Sequence, residues 1–264
     1  MITIEELRSQ PVRFSTLKWM AESAAHYRAN VRTEARHLEI GSATDALLLG
    51  TSEVLTYPEK TRRGKEWEKF KAEHAGKLIV TAKEFSLATS MRDSVLACQQ
   101  AVELLKGRRQ EEIFWKYLGR DCISHLDCAD ENGAFVTELK TAQSSNPNRF
   151  RWQAFKFAYH AQLAFYRLAK QYQTGHKPEA AYIVVVGSTA PHITVVMRVS
   201  DHALELGERL VRIWFETLLN CEKSNEWPGY AQSIIELDAP EDVDMDFDLN
   251  ELVPAGHGEE EVAA

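Results

Sequence analysis

Asp127, Glu138 and Lys140 stand in the stretch "ISHLDCADENGAFVTELKTA", Ile123 to Ala142, with the spacing D-x10-E-x-K. Two short apolar runs are joined there by Glu131-Asn132-Gly133, and Asn-Gly between such runs is a strong hairpin signal. Successive strand residues face opposite sides, so Glu138 and Lys140 share a face. The hairpin brings Asp127, on the partner strand, close to Glu138. Two carboxylates and an ammonium on one surface admit two readings. The plainer is a cross-strand ion pair worth roughly 0.2–1 kcal/mol. The other is a metal centre. Paired carboxylates repel and raise each other's pKa, a hard divalent cation removes that penalty, and carboxylate oxygens suit Mg²⁺ or Mn²⁺. A lysine beside them can orient a water and stabilise developing negative charge, which is what phosphodiester hydrolysis needs. The spacing alone leaves both readings open.

The elements that must position these residues follow from the pattern around them. Residues 1–110 read as mainly helical. "FSTLKWMAESAAHYRAN" offers Ser15 as an N-cap and apolar Leu17, Met20 and Ala24 at helical spacing. "IGSATDALLLG" predicts a short buried helix starting near Gly41. "RRGKEWEKFKAEHAGK" begins as a basic loop and continues as an amphipathic helix. "TAKEFSLATSMRDSVLACQQAVELLKG" predicts one long helix closed by Gly107. The runs "EEIFWKYL", "DCISHLDC" and "AFVTELKT" predict three strands in a meander. A long helix is expected from about Arg149 to Gln173, with Phe150, Ala154, Phe157, Ala161 and Ala164 on its apolar side. Two further strands, "AAYIVVVGS" and "ITVVMRVS", precede a last helix, "DHALELGERLVRIWFETLLN"; the first is apolar enough to be central. Helices, a meander, a helix, strands and a helix define a mixed α/β domain.

Composition narrows the class. The chain has 264 residues, 44% hydrophobic and 27% charged, ordinary for a folded domain with a sizeable core. No apolar run approaches the roughly 20 residues of a membrane helix, and "MITIEELRSQ" lacks a signal-peptide pattern, so a cytoplasmic location and no membrane partner are expected. Cys98, Cys122, Cys128 and Cys221 form no C-x-x-C pair; reduced, mostly buried thiols are expected rather than a zinc or iron–sulfur site. Net charge is −8, yet residues 236–264 hold 11 acidic residues and no Lys or Arg. Taking those 11 from the 39 acidic residues leaves 28 against 31 basic ones, so the body, residues 1–235, is mildly basic and a polyanionic substrate is not excluded. The acidic tail, 236–264, is expected to be flexible.

Several blocks together resemble the PD-(D/E)XK nuclease superfamily, and within it the RecE-like (exodeoxyribonuclease VIII-like) phage recombination exonucleases. In order, they are "STLKWMAESAAHYR", "GSATDALLLG", "RRGKEWEKFKAEHAGKLIVTAKEF", "EEIFW…DCISHLDC…FVTELKT" and "YHAQLAFYRLA", spanning about Ser15 to Gly187. The resemblance implies a restriction-endonuclease-like core, a mixed central sheet flanked by helices, with a helical N-terminal region. It makes Asp127 and Glu138 metal ligands, Lys140 the catalytic lysine and the backbone carbonyl of Leu139 a further ligand. Gln162 and Tyr166 match the family's Q-x-x-x-Y pair beside the active site. Where the family usually has His in the second block, this chain has Asp45; a carboxylate there remains a competent Mg²⁺ ligand.

The resemblance further implies a Mg²⁺-dependent deoxyribonuclease, Mn²⁺ substituting, that resects linear duplex DNA 5′ to 3′ and leaves 3′ overhangs. A single-strand annealing recombinase and a homo-oligomeric ring are the implied partners, in a bacterial or phage-infected cell. Arg62, Arg63 and Lys65 in the basic loop, with Arg149, Arg151 and Lys156 on the long helix, are candidates for sequence-independent phosphate contact. Trp152 in that helix has two readings, an aromatic that stacks or wedges at a DNA end and, the plainer one and the one expected, a side chain packed in the core. Two alternatives stay open: a PD-(D/E)XK endonuclease or single-strand or flap nuclease, and a DNA-binding module whose centre has decayed.

Overall fold

Alternating apolar residues after Gly107 build the main sheet from five strands: β3 (Arg108–Tyr117), β4 (Arg120–Ala129), β5 (Phe135–Ala142), β6 (Ala180–Gly187) and β7 (Thr194–Arg198). The computed structural model describes residues 3–29, 37–59, 62–231 and 233–237. The strands lie side by side in sequence order. All neighbours are antiparallel except β5 and β6, which run parallel from Phe135↔Ala180 to Ala142↔Gly187. A parallel pair needs a crossover, here α8 (Pro147–Lys156) and α9 (Tyr159–Thr174). The β4–β5 loop contains Gly133 at φ 78° and is closed by Asp130, whose carboxylate accepts the N–H groups of Asn132 and Ala134.

β6 buries both faces, as its uninterrupted apolar run requires. Ile183 and Val185, with Val136 of β5, pack on α9 and on α10 (Asp201–Ser224) through Leu163, Phe165, Val211 and Phe215. Val184 and Val186, with Leu139, pack on α4 (His37–Leu49), α6 (Ala82–Ala97) and α7 (Gln99–Leu104) through Leu48, Leu49, Met91, Val95 and Leu105. Gly207 of α10 allows the close approach to α9, since a Cβ there would lie 2.4 Å from the His160 carbonyl oxygen. Three of the four free cysteines are buried.

At the N-terminus, α1 (Ile4–Ser9) carries a capping box from Thr3 and Glu6. Val12 then exchanges backbone hydrogen bonds with Asp121 and Ile123 of β4. This fastens α2 (Phe14–Leu17) and α3 (Ala24–Ala29) beside the sheet, and Leu17, Met20 and Ala24 are buried as their spacing predicts. The N-cap of α2 is Arg13 rather than Ser15.

Four further expectations about the elements need correction. The helical region also contains two short parallel strands, β1 (Val54–Tyr57) and β2 (Leu78–Thr81), joined through α5 (Gly64–Glu73); four-residue runs are too short to declare a period. The helix expected over Ala82–Gly107 breaks at Cys98, which is extended and separates α6 from α7. The helix near Gly41 begins earlier, at His37. The helix expected over Arg149–Gln173 starts instead at Asn146-Pro147, an N-cap followed by proline. It breaks at Ala158, held in the left-handed region at φ 56°, ψ 37°, where neither glycine nor proline announces a stop. That break turns Phe157 outward, 46% exposed, and Trp152 is 72% exposed rather than in the core.

The compact unit that contains the sheet ends at Tyr230. The acidic segment from 238 onward lies outside the described residues, and with it the expectation that it is flexible. Among the described residues no helix is long and apolar enough to cross a membrane.

Candidate active site

Asp127 sits where the sheet lets go of it on both sides. The β3–β4 register runs from Arg109↔Cys128 to Glu111↔Leu126 and steps over Gln110 and Asp127. The β4–β5 pairing ends at Cys128↔Thr137. Asp127 replaces the missing rungs with its side chain: Oδ2 accepts the backbone N–H of Leu139 at 2.9 Å, and Oδ1 accepts Gln110 Nε2 at 3.3 Å. Gln110 itself has φ 52°, a left-handed conformation unusual for a residue with a side chain. Beyond this point β4 and β5 diverge, and Val12 occupies the edge of β4 at Cys122.

Glu138 and Lys140 share a face of β5, as strand alternation demands. Lys140 Nζ donates to Glu138 Oε1 at 2.7 Å, and the same oxygen accepts Gln162 Nε2 from α9 at 2.7 Å. Gln162 Nε2 also lies 2.8 Å from Tyr166 Oη, one helical turn on. The Lys140 ammonium stands 4.8 Å from the centre of the Tyr159 ring, a favourable cation–π placement. Glu138 is 4% exposed and, among the described residues, its Oε2 has no hydrogen-bond partner. An ionised, buried carboxylate oxygen without a partner is costly.

Asp45 comes from the opposite side, on α4. That helix lies close against β5 because a Cβ at Gly41 would stand only 3.0 Å from Thr141 Oγ1. Asp45, Leu139, Lys140, Gln162 and Tyr166 line one cavity of about 580 Å³. Behind its wall, Glu138 is bonded to Lys140 and Gln162. Burial pushes Asp45 up to about 7, helped by the Asp127 charge and opposed by Lys140. Burial pushes Glu138 up to about 8, with Asp127 and Asp45 adding to the rise and Lys140 opposing it. Burial also raises Asp127, against Lys140 and the Leu139 N–H. Lys140 is raised as well, for a different reason: burial alone would lower it, but Glu138 and Asp127 hold it above the ordinary lysine value.

These electrostatics fit a divalent cation. Three carboxylates are desolvated, the Asp127 charge raises both others, and Glu138 has a buried oxygen with no hydrogen-bond partner among the described residues. Hard oxygen donors of that kind are what Mg²⁺ takes, commonly through one or two carboxylates while keeping several waters. As they stand, no three His, Cys, Asp or Glu side chains among the described residues are gathered closely enough to hold an ion, and Glu138 Oε1 is bonded to Lys140 and Gln162.

The cavity also contains residues that the sequence did not single out. Arg13, Lys18 and His125 bring positive charge or hydrogen-bonding nitrogen to it, with Tyr159, Gln153 and Phe157. Arg13 Nη1 lies 2.9 Å from His125 Nε2. Burial, then Lys140, lowers Lys18. The block "STLKWMAESAAHYR" contained Lys18, but nothing in its spacing tied it to the hairpin.

The six basic residues chosen for DNA contact lie elsewhere. Arg62 is joined to Glu84 at 2.6 Å and to the Ile79 carbonyl at 3.1 Å. Arg63 stands at the N-cap position of α5 without a side-chain capping bond, and Lys65 is exposed on that helix. Arg149, Arg151 and Lys156 are exposed on α8, and Arg149 lines a second groove of about 670 Å³.

A mostly antiparallel five-stranded sheet between helices, with Asp127 and Glu138-x-Lys140 at the fork of two strands, defines a PD-(D/E)XK-type domain. The chain belongs to the family described as a PDDEXK-like domain of unknown function (DUF3799), whose sequence profile matches residues 13–238. Among solved structures, the chain is similar to an assumed exonuclease from Eubacterium rectale. Identity is 14% and the TM-score 0.60, over 97% of this chain and 99% of that one. It is also similar to a phage-related exonuclease from Haemophilus somnus 129PT, at 12% identity and TM-score 0.36, over 83% of this chain and 99% of that one. No curated protein matches by sequence.

Proposed function

We propose that the chain is a metal-dependent deoxyribonuclease, acting as a 5′–3′ exonuclease that resects linear duplex DNA and leaves 3′ single-stranded overhangs. The observation that carries the reading is the bonded chain Lys140–Glu138–Gln162–Tyr166 beside a cavity lined by Asp45 and by cationic Arg13 and Lys18. The exonuclease name of the Eubacterium rectale structure agrees with it. Asp45, Asp127, Glu138 and the Leu139 carbonyl would hold Mg²⁺, with Mn²⁺ as a substitute. Bound there, the cation supplies Lewis-acid activation of water and of the scissile phosphate.

The chain's own residues do the rest. Lys140 keeps its proton, because two carboxylates and the Tyr159 ring face it, and serves as a fixed positive charge for a phosphate oxygen or the attacking water. Gln162 holds Glu138 in place through Oε1 and leaves Oε2 unencumbered. Arg13 and Lys18 offset the charge of the DNA backbone at the cavity mouth. A single-strand annealing recombinase would take over the overhang, and assembly into a ring would keep the enzyme on its strand.

The test is digestion of matched linear and closed-circular duplexes with Mg²⁺, with EDTA and with Lys140→Ala as controls. The expected outcome is loss of linear DNA only, abolished by EDTA and slowed about 10²–10³-fold in the variant. Cutting of the circle would replace the exonuclease by an endonuclease. Intact DNA under every divalent cation would leave a binding module.

A further inference from the structure

The segment between the catalytic hairpin and β6 has a composition the chemistry above does not use. No Asp or Glu occurs between Glu138 and Glu179. Within that span α8 carries Arg149, Arg151 and Lys156, all exposed, interleaved with Trp152 and Phe155, 72% and 46% exposed. Large aromatics this exposed are unusual on a helix whose neighbours offer core space. The Arg151 guanidinium stands 5.6 Å from the centre of the Trp152 ring, so charge and aromatic face are presented together.

Position on the helix ties this surface to the active site. Arg149, Gln153 and Phe157 fall at i, i+4 and i+8, on one side of α8. Gln153 and Phe157 line the catalytic cavity, while Arg149 and Gln153 line the second groove, whose other walls include Ser144, Asn146 and Thr189. Gln153 is common to both, so the two spaces meet along α8. Among the described residues no acidic side chain lines the second groove. A polyanion leaving the cavity along this helix meets cations, hydroxyls and amides, and the same helix carries the exposed Trp152 next in sequence to Gln153.

We propose that α8 guides single-stranded DNA between the catalytic cavity and the second groove, Trp152 stacking on a base while Arg149, Arg151 and Lys156 face its phosphates. The inference rests on the nuclease reading and adds to it the element that grips the strand. Charge complementarity decides the occupant: a protein partner would need an acidic face, whereas nucleic acid supplies both the phosphates and the flat apolar rings. Aromatic platforms beside basic grooves bind single strands with little regard to sequence.

The experiment uses the full chain in EDTA, so that nothing is cleaved, and a labelled oligothymidylate of about 12 nucleotides, within the span one binding fold covers. Anisotropy gives the affinity of the wild type, Trp152→Ala and Trp152→Phe. Being exposed, Trp152 can be changed without loss of core packing, which circular dichroism checks. The expected result is about tenfold to a hundredfold weaker binding for Trp152→Ala and less than about threefold for Trp152→Phe. The Ala effect should vanish on an abasic strand of the same length. Equal affinities for the wild type and Trp152→Ala would overturn the proposal. So would a changed sedimentation coefficient in Trp152→Ala with oligonucleotide binding intact, which would assign the face to a second copy of the chain. Wild type that degrades linear duplex while Trp152→Ala binds normally sinks this inference alone. Wild type that neither cleaves nor binds sinks the nuclease reading with it.

Discussion

Asp127 Oδ2 accepts the Leu139 backbone N–H at 2.9 Å, so a carboxylate stands where a rung of the sheet would otherwise be. The same side chain thereby holds the fork of β4 and β5 and brings a negative charge to the site. The two roles separate by substitution. Asp127→Asn keeps an acceptor oxygen for Leu139 and removes a charge that burial disfavours, so its metal-free stability should equal or exceed that of the wild type. Asp127→Ala leaves the N–H unsatisfied and should cost about 1–3 kcal/mol. Both should be inactive. Denaturant melts set beside a cleavage assay check the pair; an Asn variant as unstable as the Ala variant would refute the argument.

The raised carboxylates predict how stability depends on pH. Asp45 titrates near 7 and Glu138 near 8 in the folded chain, first because of burial and then because of their acidic neighbours; both lie near 4 when unfolded. Between those limits the native state binds more protons than the unfolded one, so stability falls as pH rises. Without divalent cations the melting temperature should decline from about pH 5 to about pH 8, and Asp45→Asn should flatten part of the slope. Mg²⁺ binds the ionised groups, so its stabilisation should be larger at the alkaline end. Calorimetry at both ends, with and without Mg²⁺, reads this directly; melting indifferent to Mg²⁺ throughout would remove the metal centre.

Gln162 is a positioning residue. Its Nε2 meets Glu138 Oε1 and Tyr166 Oη within 2.8 Å and so fixes which oxygen of Glu138 remains open. Gln162→Ala should lower activity about 10–100-fold, the usual cost of losing a group that orients a ligand. It should also raise the Mg²⁺ concentration needed for half-maximal rate. Gln162→Glu, which adds a further carboxylate, should be worse. A rate loss with unchanged Mg²⁺ dependence would reduce Gln162 to a packing role.

The hairpin was legible in the sequence because strand alternation and Asn132-Gly133 are local signals, and they placed Glu138 and Lys140 on one face. The five strands themselves were legible as apolar runs, but not the order of all five in the sheet, which depends on the α8–α9 crossover that makes β5 and β6 parallel. Asp127 was placed near Glu138, but not the way its carboxylate interrupts the ladder, which depends on two strands parting. Arg13, Lys18 and His125 escaped notice because they enter the cavity from α2 and from the diverging edge of β4, and no local period links those to β5. The turn at Ala158 escaped for want of a glycine, and it decides that Phe157 faces outward instead of into the core.

Arg62 and Lys18 make opposite predictions from the same charge. The Arg62 guanidinium is fixed by Glu84 at 2.6 Å and the Ile79 carbonyl, 14% exposed, with the Trp67 ring 6.0 Å away. Glu84 is in turn the capping partner of Thr81 at the start of α6. Truncating Arg62 therefore removes a tie between the basic loop, β2 and α6. Arg62→Ala should lose roughly 1–3 kcal/mol of stability and leave the salt dependence of DNA binding unchanged. Lys18 reaches the catalytic cavity, where burial and Lys140 lower its pKa, so the free protein gains little from its charge. A phosphate would relieve that repulsion. Lys18→Ala should keep or raise the melting temperature, weaken DNA binding, and reduce the slope of log affinity against log salt by about 1. Titrations at several salt concentrations in EDTA, paired with melts, separate the two residues. A salt slope lowered by Arg62→Ala and untouched by Lys18→Ala would reverse the assignment and move the DNA path from the cavity mouth to the basic loop.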